Sequence, residues 1–504
     1  MMFTLAAVLS LWLPAAPLNV KKPVPKFPMS KATTYITEPL DKDDYLDYET
    51  ALNERLRGQI TPETNAMVLL WQAIGPKPDG KAMPADYFQC LGTKSPPTDG
   101  EYFVDYDTFV KKEKAAYDPK QIEQEDYARS RPWMADDFPL IAKWLEENEK
   151  PLEIVVRASR RADSYNPLVY RSTDGKPAPL MGAFPQYMSK VRSICIALCM
   201  RAMLKTAEKK YDEAWSDLIA SHRLSRHISQ GTLIATIIGI SMELHTVNAE
   251  LTFFVSVAHD SKTIEKYRSE IDKLPSFQSM ADEIDLAERF IVLDAMQHLR
   301  RLAPEIKNDE IRGQFDDAYW NETLRMINGQ YDLVVKAIRN SSRKSRITEF
   351  EKGKAANVST KVFSEFFDVA FAFDSPETLA SVGPKKIREY FGYLFLVFEK
   401  RSDASDRIEQ HRRNLQLAIA LASYLADNGK YPKSLDELAP KYLAKIPNDL
   451  FTEKPLIYKP NESGYLIYSF GQNEKDDKGK TYGDLPYGCD DIRVRVPLPK
   501  MKRE

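Results

Sequence analysis

The chain has 504 residues, beyond the size at which a single hydrophobic core keeps growing, so two or more domains are expected. Hydrophobic residues make up 43% and charged residues 29%, the mixture of a folded chain rather than a disordered one. The 71 basic and 73 acidic residues leave a net charge of -2, which argues against a dedicated nucleic-acid binder with its strongly basic domain, and four cysteines are too few for a disulfide scaffold.

The first stretch, "MMFTLAAVLSLWLPAAPLNV", carries no charge. Its apolar run from Phe3 to Leu13 has the length of a signal-peptide h-region and is short for a membrane span. Ala15 and Ala16 suit cleavage, and no cysteine follows to carry a lipid. Residues 1–20 are therefore expected to be a signal peptide or an N-terminal membrane anchor. Residues 21–44, with Pro23, Pro25 and Pro28, are expected to form an extended Pro-rich tether. The protein is then exported, in the periplasm or anchored at the cell envelope, and touches the membrane through its N-terminal segment only. The later apolar runs are too short or, like that around Glu243 and His245, interrupted by charge.

Residues 45–404 are expected to form a large helical domain. "FPLIAKWLEENEKPLEIVVRASRR" is helical, with Leu140, Trp144 and Leu152 on core faces. "MSKVRSICIALCMRAMLKTAEKK" predicts a strong helix, in which Cys195 and Cys199 are small core residues rather than a metal pair. "YDEAWSDLIASHRLSRHI" follows after a tight turn at Lys209-Lys210. Its stripe of Tyr211, Ala214, Trp215, Leu218 and Ile219 has helical spacing. This helical hairpin is similar to a tetratricopeptide unit, although no repeat array follows. "GTLIATIIGISMELHTVNAELTFFVSVA" predicts a long buried helix, and "SFQSMADEIDLAERFIVLDAMQHLRRL" another. Asn340–Thr360 is polar, a loop or helix rim. The basic clusters Arg157, Arg160, Arg161 and Arg343, Lys344, Arg346 read as solvated faces or loop decoration.

Chemistry in this domain rests on few groups. The histidines are His222, His227, His245, His259, His298 and His411. His222 continues the stripe of Trp215 and Leu218 into the core; His227, five residues on, does not share its face. Asp294 and His298, four apart on one helix, form either an acid with its orienting partner or a local polar pair. Glu243 and His245 are polar groups in an apolar helix, but point in different directions. Glu243, Asp294 and His298 are the candidate catalytic residues. No motif for a nucleophile elbow, a zinc protease or a phosphate loop occurs.

From Arg407 the character changes. "RRNLQLAIALASYLAD" predicts a helix ended by Asn428-Gly429. "SLDE" is a capping box, Ser434 to Glu437. "KPLIYK" and "GYLIYSF" predict strands joined by the Asn461–Gly464 turn, and "DDIRVRVP" the last strand. Between the last two lies "YSFGQNEKDDKGKTYGDLPYGCDDI", with Glu474, Asp476, Asp477, Asp484, Asp490 and Asp491 among four glycines. Such a loop is either a metal site or a solvated acidic turn. Crowded carboxylates repel unless a cation neutralises them.

Residues Arg407–Val496 resemble the globular domain of type II secretion major pseudopilins, of the G type. The likeness lies in the helix before "NGKYP", in "SLDEL", "IPNDLF" and "YSFG", and in the acidic glycine loop with its closing "DDI". The resemblance implies a structural calcium site at Ser469, Asn473, Asp476, Asp477, Asp490 and Asp491, where glycines let carbonyls turn inward to a hard cation. The N-terminus departs from that family. No glycine precedes Phe3, and Ala7 stands in the place of its helix glutamate. As a whole the chain is similar to bacterial exported proteins that join a helical domain to this module. The expected fold is α+β: an all-α domain over 45–404, a pseudopilin-like helix and antiparallel sheet over 405–497, and a basic tail over 498–504. The expected function is a structural or interaction role at the envelope with protein partners and no nucleic acid. The alternatives are an envelope hydrolase and a secretion-system accessory protein.

The apolar N-terminal run generates a test. A tagged full-length protein should fractionate with the cell envelope or periplasm; recovery from the cytoplasm alone, with residues 1–20 intact, would reject export.

Overall fold

The computed structural model describes residues 27–498 apart from 85, 115–119, 172–177, 184–185, 259, 355–374, 393 and 483. The expected signal or anchor segment, the start of the tether, His259, Gly483, the end of Asn340–Thr360 and the tail beyond 498 lie outside the described residues. The architecture is α+β, mostly helical with one small antiparallel sheet near the C-terminus.

The helices of nine residues or more are α1 (Tyr48–Arg57), α2 (Ala66–Ile74), α3 (Gln121–Ser130), α4 (Pro139–Glu147), α5 (Glu149–Ser159), α6 (Met188–Ala207), α7 (Tyr211–Ile228), α8 (Leu233–Ser256), α9 (Ser261–Asp272), α10 (Arg289–Leu302), α11 (Asp317–Ile338), α12 (Arg343–Lys354), α13 (Pro376–Gly392) and α14 (Leu394–Asn428). Caps start several of them. Asn65, Thr232, Asp260 and Asp316 each accept a hydrogen bond from a first-turn amide, as short polar side chains do at this position. Lys209 takes a positive φ of 59° in the tight turn between α6 and α7, so the expected hairpin is present. Asn340–Thr360, read as loop or helix rim, contributes α12 to the body of the protein.

Two helical cores result. In the first, α2 and α4 to α9 pack around Trp71, Trp144, Leu198 and Phe253. Trp215 lies 4.8 Å from the Tyr267 ring, and Cys195 and Cys199 are wholly buried, as their spacing predicts. The second core joins α1, α10, α11, α12 and α13 to residues from Phe27 onward. Arg289 is buried at its centre. Asp285 and Asp332 accept hydrogen bonds from its Nη2 at 2.6 and 2.8 Å, and its guanidinium lies 4.1 Å from the Tyr35 ring. A buried cation is tolerated only when paired in this way. The helix entering α10 loosens into a π-turn at Ile284–Glu288, where Asp285 sits.

The third core is the C-terminal module. Strands β1 (Ile457–Asn461), β2 (Gly464–Ser469) and β3 (Ile492–Val496) pair antiparallel in the order β1-β2-β3. The Asn461–Gly464 turn, the Ser434–Glu437 capping box and the stop at Gly429 (φ 69°) stand where the sequence puts them. Tyr465, Ile467, Val494 and Val496 pack on Leu417, Ala420 and Leu421 of α14. The expected domain boundary at 404/405 falls inside this helix, which runs unbroken from Leu394. Its apolar start, Leu394 to Phe398, gives way to a polar stretch, Glu399 to Glu409, where Asp406 pairs with Arg343 and Arg346, so no continuous hydrophobic stripe announced it. All four cysteines are free thiols. Among the described residues no helix is long and apolar enough to cross a membrane.

A buried amide chain ties α14 to the module. Asn414 Nδ2 donates to the Ile492 carbonyl at 2.8 Å, Gln410 Nε2 donates to Asn414 Oδ1 at 2.8 Å, and Gln410 Oε1 accepts from the Leu450 amide at 2.7 Å. Both side chains are fully buried. Asn414→Ala leaves a carbonyl and an amide unsatisfied, which costs about 1–3 kcal/mol each. The variant should lose at least that much in urea denaturation; a change below about 0.5 kcal/mol, the scale of an ordinary surface substitution, would show that the chain of bonds is not needed.

Candidate functional sites

The acidic loop is placed by strand register. Ser469, the last residue of β2, pairs with Ile492, the first of β3. That pairing carries Asp490 and Asp491 back beside Phe470 and Gly471. Gly471 has a φ of 66°, and a Cβ there would fall 2.6 Å from Asp490 Oδ1, so only glycine lets the carboxylate approach. Asp490 Oδ2 accepts from the amides of Gln472 at 2.9 Å and Asn473 at 3.1 Å. Asp491 Oδ2 accepts from the Gly479 amide at 2.7 Å. The other oxygens, Asp490 Oδ1 and Asp491 Oδ1, are buried and have no hydrogen-bond partner.

The remaining members of the expected calcium set are engaged. Asp477 Oδ2 accepts from Asn473 Nδ2 at 3.0 Å and from the Asp490 amide at 2.9 Å. Asn473 Oδ1 accepts from the Lys475 amide at 2.7 Å, and Ser469 Oγ from the Gly471 amide at 3.2 Å. Asp476 Oδ1 accepts from Tyr468 OH at 3.1 Å and from the Lys478 amide at 2.8 Å. Among the described residues no group of three or more His, Cys, Asp or Glu side chains stands close enough to hold a metal ion. Burial pushes the Asp490 carboxyl up from its ordinary value, and burial with the neighbouring Asp477 and Asp476 charges pushes Asp491 to about 6. Asp449 was not anticipated as part of the loop's frame. It is buried, and its Oδ2 accepts from the Phe470 amide at 2.8 Å while Oδ1 accepts from Phe451 and Thr452. The "PND" before a bend was the available signal, since Asp in such a turn bonds amides ahead of it.

The helical candidates do not form one site. Glu243 belongs to α8, whereas Asp294 and His298 belong to α10 in the second core. Asp294 accepts from the Leu180 amide at 2.8 Å, and burial raises its carboxyl to about 7. His245 points away from Glu243, as its spacing requires. Its Nε2 is buried without a partner, and burial with Arg129 and Arg192 lowers its pKa to about 3.

Glu243 instead meets His222, the imidazole expected in the core. His222 Nδ1 stands 2.9 Å from Glu243 Oε2, and Nε2 stands 2.9 Å from Glu250 Oε2. Arg226, one turn on from His222, donates to Glu243 Oε2 at 3.0 Å and Oε1 at 3.2 Å. Sequence reasoning noted Glu243 and missed Glu250. The signal was two glutamates seven apart in an apolar helix, which lie on one face. Burial alone would lower the His222 pKa, but the two carboxylates outweigh it and hold it up at about 10. Burial would raise Glu243, and His222 with Arg226 holds it down at about 2. An imidazolium with both nitrogens bonded and 1% of its surface exposed cross-links α7 to α8 and has no nitrogen left for a substrate.

The raised His222 pKa adds stability that is fully present below its ordinary 6.5 and is lost as pH rises toward about 10. The lowered Glu243 pKa adds stability present above 4.5 and lost as pH falls toward about 2. Glu250→Gln should cost about 3 kcal/mol between these limits, because one partner of a buried charged group is removed. The gap from wild type should narrow toward pH 10. A His222 ring resonance titrating at or below 6.5 by NMR would refute the clamp.

Comparison with known proteins gives no match: no family model, no curated protein and no solved structure matches the chain.

Proposed function

We propose that the protein is an exported or membrane-anchored component of the cell envelope with a structural and interaction role, and that its C-terminal module is closed by a calcium ion. The observation that carries the cation is the pair of orphaned oxygens, Asp490 Oδ1 and Asp491 Oδ1, buried on adjacent residues. A buried carboxylate oxygen without a donor is costly, and a cation removes that cost. The donors are hard oxygens, and the nearby Cys489 gives its Sγ–H to the Pro486 carbonyl, so calcium suits the site better than a thiolate-seeking metal. Asp490 and Asp491 would hold the ion. The rest of its six to eight oxygens must come from main-chain carbonyls, water or a rearranged Asp477 and Asn473.

Support for an interaction role comes from the polar groups of the helical domain. Glu243 is committed to His222 and Arg226, and Asp294 lies in the other core. The hydrolase alternative needs these groups in one cleft. The pseudopilin resemblance supports the envelope, and a secretion-system accessory role fits the same address.

Calcium should protect the loop locally. At 100 times its dissociation constant an ion stabilises the bound state by about 2.7 kcal/mol, or roughly a hundredfold in an opening equilibrium. Hydrogen exchange of the Gln472, Asn473 and Gly479 amides should slow by that factor in calcium relative to chelator, in the full chain. The double variant Asp490→Asn/Asp491→Asn should lose most of the effect. Equal exchange rates with and without calcium would reject the ion.

A further inference from the structure

Next to the buried clamp the surface opens into a cleft of about 840 Å³. The end of α1, the segment after α5, the end of α7, the turn into α8 and the Pro275–Gln278 loop form its walls. Five arginines line it: Arg55, Arg160, Arg161, Arg223 and Arg226. None of the described residues lining it is Asp or Glu. For a chain with a net charge of -2 this is a strong local excess.

The five differ in what already satisfies them. Arg226 is committed to Glu243 and to the carbonyls of His222 and Pro275. Arg161 gives Nη1 to the carbonyls of Pro62 and Asn65, both at 2.7 Å, which fixes the guanidinium without cancelling its charge. Arg55 lies over the Phe290 ring at 4.9 Å. Arg160 is exposed and Arg223 half-buried, and neither has a carboxylate within ion-pairing distance among the described residues. The acidic groups nearby lie outside its lining. Glu243 serves Arg226, Glu63 acts on Arg161, Asp163 acts on His227, and Glu270 acts on Arg223 from a smaller adjoining hollow that Arg160, Arg223 and Asp212 also line. Four guanidinium groups therefore share one concave surface whose lining holds no carboxylate, and Glu270 and Glu63 offset Arg223 and Arg161 only from outside it.

We propose that this cleft binds a small polyanion, a compact organic molecule carrying two or more phosphate or carboxylate groups. The lining sets the number, since several guanidiniums and no carboxylate face the cleft and a single anionic group would engage only some of them. The planar fork of arginine sets the chemistry, because it matches phosphate and carboxylate oxygens two at a time. The volume lies in the range of small-molecule pockets, and Asn166, Gln230 and Ser276 add neutral polar groups to the walls. A concave site suits a small ligand better than a flat anionic membrane. The clamp contributes by holding the end of α7, which presents Arg223 and Arg226, against α8.

Titration calorimetry on the full chain at low salt tests this, with inorganic pyrophosphate and citrate as probes. One-to-one saturable binding of at least one probe is expected, weaker at high salt. Preference for pyrophosphate assigns a phosphate ligand, and preference for citrate a polycarboxylate; both fit the cleft. Arg160→Gln/Arg223→Gln should weaken binding at least tenfold, while Arg312→Gln, a surface change elsewhere, should bind like wild type. Should the double variant fail to fold, Arg160→Gln alone removes an exposed, unpaired side chain and should still weaken binding severalfold. No saturable binding of either probe overturns the proposal. So does undiminished binding by a folded Arg160→Gln/Arg223→Gln variant. Arginine-dependent binding to phosphatidylglycerol vesicles, with both small probes ignored, would assign a membrane surface instead and also overturn it.

Discussion

One helix determines how the parts of this protein fit together. α14 runs for 35 residues and supplies side chains to all three cores. Phe398 packs in the second core, Leu415, Ile419 and Ala422 in the first, and Leu417, Ala420 and Leu421 under the sheet. A helix shared in this way cannot have a single apolar stripe, because each face answers to a different neighbour. It also cannot bend without disturbing two cores at once. The C-terminal module is therefore an extension of the helical body rather than a bead on a linker.

Buried charge performs the second kind of fixing. Apolar packing tolerates exchange of similar shapes, whereas a buried ion tolerates only its own partners. Arg289 needs Asp285 and Asp332, and so orders the π-turn before α10 against α11. His222 needs Glu243 and Glu250, and so sets the register of α7 on α8. Each constraint is satisfied only in one arrangement of its helices. The arginines around the cleft follow the opposite logic. Apart from Arg226 they have no ion-pairing carboxylate among the described residues, although their backbones are held by the same ordered helices.

Legibility from sequence followed the range of the interaction. Turns and caps were readable because their causes are local: Gly429, the Ser434–Glu437 box and the Asn461–Gly464 hairpin each lie within a few residues. Amphipathic helices were readable where one face was buried, as in α7. The polar stretch of α14 from Glu399 to Glu409 was not, because its Asp406 pairs with Arg343 and Arg346 of α12, far away in the chain. Those two arginines were read as loop decoration, and pairing across the chain leaves no mark in a local window. Glu250 escaped for a related reason. Two acids on one face of an apolar helix have meaning only once the facing helix brings a histidine between them.

The acidic loop joins these themes. It is not a turn hanging in solvent, because side chains of α12 and α14 reach it: Arg343 donates to Glu474 at 3.0 Å, and Gln472 donates to Asp403 at 2.5 Å. Arg407 approaches Asp490 Oδ2 only to 3.9 Å, too far for a good hydrogen bond, so it softens that charge without satisfying it. Asp491 lacks even this, having no ion pair among the described residues, and it is completely buried. Such a carboxylate can hold a proton below its raised pKa, or a cation above it. In the reading proposed above, calcium takes the place of that proton at neutral pH, beside the Gly479 amide that Asp491 already accepts from.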